Sequence, residues 1–146
     1  MSIKVSSILA QKGSEVHTIG PDVTVEQVAR LLAEARIGAT IVVEGEDIVG
    51  VCSERDIVRA VARDGVTALT QSVRTVMSAA VITCGSGTGT DELMSIMTER
   101  RIRHLPVVDD GRLAGIVSIG DIVKSRLDEL ADERAQLAAY VSGATY

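Results

Sequence analysis

Apolar positions along this chain change their period several times, and each change marks an element. Ile3, Val5, Ile8 and Leu9 fall at roughly helical spacing before the polar break Gln11-Lys12-Gly13-Ser14, which predicts a short helix and a turn. Val16 to Ile19 reads as a brief strand, and Pro21-Asp22 turns the chain after it. Thr24 is placed to cap a helix whose apolar face is Val25, Val28, Leu31, Leu32 and Ala35 and which ends near Arg36. Ile37 to Val43 is β-branched and apolar, and the turn Glu44-Gly45-Glu46-Asp47 joins it to Ile48-Val49-Gly50-Val51-Cys52, so the two predict a hairpin. Ser53 opens a further helix through about Arg63, closed by Asp64-Gly65.

The same plan is then written again. Gly50-Val51-Cys52-Ser53-Glu54-Arg55-Asp56 returns as Gly115-Ile116-Val117-Ser118-Ile119-Gly120-Asp121, an offset of 115 − 50 = 65 residues, and both copies run into Ile-Val. At that offset Val16–Ala60 and Val81–Ser125 align without a gap, matching at Arg36/Arg101, Ile37/Ile102, Val42/Val107, Ser53/Ser118 and Asp56/Asp121. Val81 to Cys84 echoes the first strand. Leu93, Ile96 and Met97 echo the helix face, and Leu105-Pro106-Val107-Val108 with Leu113 to Val117 echoes the hairpin. Val73, Val76 and Met77 echo Val5, Ile8 and Leu9. Each unit reads β-α-β-β-α, with the first repeat at 1–67 and the second at 68–146. One unit has too little core to stand alone, so the expectation is an α+β fold in which two repeats pack with pseudo-twofold symmetry. Past Asp121 the chain keeps a helical pattern to Val141, with the stripe Val123, Leu127, Leu130, Leu137 and Val141. That stripe needs a partner, either the N-terminal helix or a second subunit.

Composition narrows the function. A net charge of −5 and no Trp or Phe remove both the basic field and the stacking platform that a nucleic-acid binder uses. No apolar run approaches the roughly 20 residues of a membrane span and no signal pattern opens the chain, which therefore reads as cytoplasmic. Cys52 and Cys84 sit in apolar runs, as small core residues would. His17 and His104 have no ligand-spaced neighbours for a metal, and no catalytic constellation stands out. Gly85-Ser86-Gly87-Thr88-Gly89 lies between a strand and a helix, with Asp109 beyond it. However, its alternate glycines do not fit a dinucleotide fingerprint and no Lys follows for a phosphate loop, so it reads as a flexible connection.

The paired pattern of Gly, two apolar residues, Ser, two residues and Asp, each copy after a strand ending in Val-Val and an acidic turn, resembles the tandem cystathionine-β-synthase (CBS) domain pair, or Bateman module. The resemblance covers nearly the whole chain. It implies a non-catalytic regulatory module, commonly a homodimer, that binds an adenosine-containing ligand such as AMP, ADP, ATP, S-adenosylmethionine or NAD(H) between the repeats. It implies that Asp56 and Asp121 hold ribose hydroxyls, and that Ser53, Ser118, Arg103 and His104 contact phosphate. It also implies an aliphatic adenine slot among Val16, Ile19, Ile37, Val51, Val81, Cys84, Ile102 and Ile116, with Thr18, Gly38, Thr83 and Pro106 beside it. Ser-x-x-Asp is equally a helix capping arrangement, and Arg100 and Arg101 read as a solvated helix end. At the positions of Arg103 and His104 the first repeat has Gly38 and Ala39, so the two clefts differ. Two further readings remain: a structural dimerisation module with vestigial clefts, and a regulatory fragment related to that of IMP dehydrogenase, whose catalytic barrel these 146 residues do not include.

Overall fold

Thr24 sets the first long helix by a reciprocal cap. Its hydroxyl accepts from the Gln27 N–H at 3.2 Å, and its own N–H donates to Gln27 Oε1 at 2.9 Å. Ser53 and Ser118 do the same with Asp56 and Asp121, so the repeated Ser-x-x-Asp motif is a pair of true capping boxes. The computed structural model describes residues 3–143. Its first half is α1 (Val5–Lys12), β1 (Thr18–Ile19), α2 (Val25–Ala35), β2 (Ala39–Glu44), β3 (Asp47–Ser53) and α3 (Glu54–Asp64). Two 3₁₀ turns, Gly65–Thr70 and Val73–Thr75, lead to α4 (Thr90–Arg100), β4 (His104–Asp109), β5 (Arg112–Ser118) and α5 (Ile119–Val141). This is the expected α+β architecture, doubled.

The pseudo-symmetry extends to backbone detail. α2 and α4 both end on an arginine in the left-handed region, Arg36 at φ 55° and Arg101 at φ 54°. The following N–H groups, of Ile37 and Ile102, close back on Leu32 and Met97 carbonyls at 3.0 and 3.1 Å. The β2/β3 and β4/β5 hairpins are antiparallel and carry the same irregularity, between Val42 and Val43 and between Val107 and Val108. Glu54 N–H donates to the Gly38 carbonyl and Ile119 N–H to the Arg103 carbonyl, both at 2.9 Å.

The strand expected over Val81–Cys84 is a correction. In the first repeat β1 pairs parallel with β2, whereas here the pairing contracts to one bridge, Cys84 to Val107. Ile41, whose N–H donates to the His17 carbonyl at 3.5 Å, has Pro106 as its counterpart, and proline has no N–H to extend the ladder. The flexible loop expected at Gly85–Gly89 is also corrected. Ser6 N–H donates to the Ser86 carbonyl at 2.8 Å, Val5 N–H to Thr88 at 2.9 Å and Thr90 N–H to Ile3 at 2.7 Å. Asp109 Oδ1 accepts from Ser86 N–H at 3.0 Å, so both the loop and the distant acid are used structurally.

Each repeat's core is completed by the segment that precedes the other. Val5 and Ile8 of α1 are buried with Leu93, Leu105, Val117 and Ile122 of the second repeat. Val73, with Val76 and Met77 beside it, packs with Val28, Leu32, Val42 and Cys52 of the first. The exchange ties both halves together and sets the loops after α2 and α4 against each other.

Candidate ligand cleft between the repeats

A cavity of about 220 Å³ lies where the two halves meet. The first repeat supplies Gly38, Val51, Ser53, Glu54, Arg55, Asp56 and Arg59. The second supplies Arg101, Ile102, Arg103 and His104, and the crossing segment supplies Ser78, Ala80, Val81 and Ile82. Asp56 sits in the first turn of α3. Its Oδ2 accepts from Ser53 N–H at 2.9 Å and Ser53 Oγ at 3.1 Å, while Oδ1 accepts a long 3.5 Å bond from Ser78 Oγ. One carboxylate oxygen thus caps the helix and the other is weakly held. Capping and ligand binding are compatible in the same residue. Val51 exchanges backbone hydrogen bonds with Ser78 at 2.9 and 3.0 Å, which seats the crossing segment along β3. Val51, Val81, Ile82 and Ile102 give the cavity aliphatic walls.

Gly38 makes room for the opposite loop. A Cβ there would stand 3.0 Å from Glu54 Oε1 and 3.1 Å from His104 Nε2. Burial pushes His104 below its ordinary value of 6.5. Asp121 and Glu54 pull the other way, and Lys12 and Arg103 add to the lowering. Burial, with Asp56 nearby, lifts the Cys52 thiol to about 12, and burial, with Asp109 and Glu92, lifts Cys84 to about 11. Neither is a thiolate nucleophile at neutral pH.

At the pseudo-equivalent position the carboxylate is already engaged. Lys12, the last residue of α1, donates from Nζ to Asp121 Oδ2 at 2.7 Å and to the Ile116 carbonyl at 3.0 Å, while Asp121 Oδ2 also accepts from Ser118 N–H at 2.8 Å. Desolvation raises the Asp121 carboxyl, but the hydrogen bonds from Lys12 and Ser118 and the Lys12 charge outweigh it and hold the group below 3.8.

Comparison with known proteins decides the family. The CBS domain model matches residues 5–63 and again 73–128. This chain belongs to the CBS-domain family. The crystal structure of a CBS-domain-containing protein from Agrobacterium tumefaciens is 46% identical and superposes with a TM-score of 0.83, over 86% of this chain and 95% of that one. The mitochondrial CBS domain-containing protein CBSX3 of Arabidopsis thaliana is 30% identical over 97% of this chain and 73% of its own length. The CBS domain pair of protein MJ0100, solved with 5′-methylthioadenosine and S-adenosyl-L-methionine, is 28% identical with a TM-score of 0.74, over 86% of this chain and 98% of that one.

Within this CBS pair, the structure gathers Asp56, Ser53, Gly38, Val51, Val81, Ile102, Arg103 and His104 at one cavity. Ser118, Asp121 and Ile116 cluster separately around Lys12. The other residues named for the slot lie elsewhere. Cys84 is in the second core and Ile19 packs on the first. Pro106 is buried in β4, Thr18 pairs with Ile41 in the sheet, and Thr83 is exposed. Val16 is half-buried just before β1, and Ile37 lines a groove beside α2 and α3. Six cavity residues besides Arg101 escaped the sequence reading: Glu54, Arg55, Arg59, Ser78, Ala80 and Ile82. Arg59 is one helical turn beyond Arg55 on α3, which was a legible signal. The small residues after Met77 become meaningful only once the crossing segment is seen. Arg101, read from the sequence as a solvated helix end, lines the cavity from its left-handed cap.

Proposed function

We propose that this CBS pair is a non-catalytic regulatory module that holds an adenine nucleotide or dinucleotide (AMP, ADP, ATP or NAD(H)) in the first cleft and reports energy or redox state. The observation that carries the reading is the joint cavity, which sets Asp56 and Ser53 of one repeat against Arg103 and His104 of the other. In this reading adenine takes the slot between Val51, Val81, Ile82 and Ile102, and the vicinal hydroxyls reach the weakly held Asp56 oxygen. The phosphates meet Arg103 and His104, with Arg55, Arg59 and Arg101 around them. Four guanidinium groups against the carboxylates of Glu54 and Asp56 favour an anionic ligand over a sulfonium, and Arg suits phosphate bidentately. The adenosine derivatives bound by MJ0100 support the nucleoside part of this reading.

Calorimetry with adenosine, AMP, ATP and NADH tests it. Binding of the phosphorylated ligands tighter than adenosine supports the reading, and binding of none of them removes it. A first look is cheap. The chain has two Tyr and no Trp, so a co-purified nucleotide would dominate the absorbance near 260 nm.

A second role is carried by a different observation. Val123, Leu127, Leu130 and Leu137 on α5 are each at least half exposed, while Val5 and Ile8 of α1 pack in one core with Ile122 of that helix. Its exposure supports a homodimer built on α5 over the alternative in which the N-terminal helix covers the stripe.

A further inference from the structure

Besides the exchange of Arg103 and His104 for Gly38 and Ala39, the two clefts differ in a side chain of the crossing segment. The segments that cross between the repeats correspond at an offset of 68, since 77 − 9 = 68, and Met77 and Leu9 lie on the equivalent glycines Gly50 and Gly115. By the same count Lys12 corresponds to Ala80, since 80 − 12 = 68. Ala80 lines the open cavity, whereas Lys12 reaches into the second cleft and bonds both Asp121 and the Ile116 carbonyl. The position of Ile116 is that of Val51 in the open cleft. Lys12 thus takes the carboxylate, the acceptor assigned to a nucleoside's hydroxyls in the open cleft, and anchors itself on the strand carbonyl beside it. Its side chain is 34% exposed and that of Asp121 21%, so the pair is partly withdrawn from solvent screening.

We propose that Lys12 is an internal lock on the second cleft, its ammonium substituting for a ligand's donors, so that the resting chain takes one nucleotide and a second enters only when Lys12 is displaced or its charge removed. The stoichiometric part of this proposal rests on the nucleotide reading above, and the lock itself does not.

Two measurements test the proposal. In the first, AMP is titrated calorimetrically into wild type, Lys12→Ala, Asp56→Ala and the double variant Lys12→Ala/Asp56→Ala. One site per chain in wild type, a second and weaker one in Lys12→Ala because its cleft has Gly38 and Ala39 in place of Arg103 and His104, one site weakened roughly ten- to a hundredfold in Asp56→Ala, and the second site regained in the double variant is the expected pattern. Two sites in wild type, or one in Lys12→Ala, overturns the lock. The second measurement needs no nucleotide. Reductive methylation of the ligand-free protein, followed by mass spectrometry, compares Lys12 with the chain's other lysines, Lys4 and Lys124. Lys12 should react several-fold more slowly in wild type and at their rate in Asp121→Asn, and equal rates for all three in wild type overturn the lock. If AMP binds to none of the proteins while Lys12 is still protected by Asp121, the nucleotide reading fails and the lock stands.

Discussion

A Cβ on Gly50 would lie 2.4 Å from the sulfur of Met77, and at the equivalent point a Cβ on Gly115 would lie 2.8 Å from Leu9 Cδ2. The repeated glycine that heads the sequence motif is therefore a packing device, where the crossing segment of one half lies across the hairpin of the other. Gly50→Ala and Gly115→Ala should each destabilise by about 1–3 kcal/mol through overpacking, read as a lower thermal midpoint. Met77→Ala alone leaves a void, yet combined with Gly50→Ala it should cost less than the sum of the two, because the new methyl occupies vacated space. Additive losses would separate Gly50 from Met77.

Removing the Asp56 carboxylate removes charge-assisted hydrogen bonds of about 1.5–3 kcal/mol, so Asp56→Ala should weaken adenosine and AMP alike by roughly ten- to a hundredfold. Arg103→Ala should spare adenosine and penalise AMP and ATP. Calorimetry on the two variants with both kinds of ligand distinguishes ribose from phosphate contacts.

His104 gives the ligand a pH signature. Its free-state value lies below 6.5 through burial, with Asp121, Glu54, Lys12 and Arg103 around it, so the ring is neutral at pH 7. A phosphate beside it favours the cation, and binding then takes up a proton. AMP affinity should rise as pH falls from 8 to 6.5, adenosine affinity should stay flat, and His104→Gln should abolish the difference. Titrations in buffers of different ionisation enthalpy measure the proton count directly.

Acid stability should fall in two separate stages. Because the folded value of His104 is below the unfolded one, the unfolded chain binds the extra proton first, and stability that is full above about 6.5 declines as pH drops below it. Asp121 acts with the same sign at lower pH. Its folded value is lowered, so its contribution is complete above 3.8 and is lost as pH falls through the folded value below that. Thermal melts from pH 3 to 8 should lose the upper stage in His104→Gln and the lower one in Asp121→Asn.

The α5 stripe predicts a dimer at micromolar concentration by light scattering. Leu127→Glu with Leu137→Glu should yield monomers with little loss of thermal stability, because both side chains are more than 60% exposed. A monomeric wild type would leave the stripe without its proposed partner.

The sequence by itself determined the local elements and their doubling. Helix starts at Thr24, Ser53 and Ser118 are written as capping residues, and the hairpins follow from β-branched runs broken by acidic turns with glycine. An ungapped repeat required two like units, and the family resemblance it carries put forward Asp56, Ser53, Arg103 and His104, which the fold brings to one cavity. Periodicity could not reveal which half each crossing segment would complete, because Val5 and Val73 look alike in pattern and only three-dimensional packing assigns each to the opposite core. Nor could it rank the two aspartates, whose local sequences are equivalent. Lys12 is remote from Asp121 in sequence and becomes its partner only because α1 is docked on the second repeat, leaving Asp56 beside Ala80 and an open space. Capping and strand pairing are decided over a few residues, whereas a cleft is decided by side chains that meet only after the chain has folded.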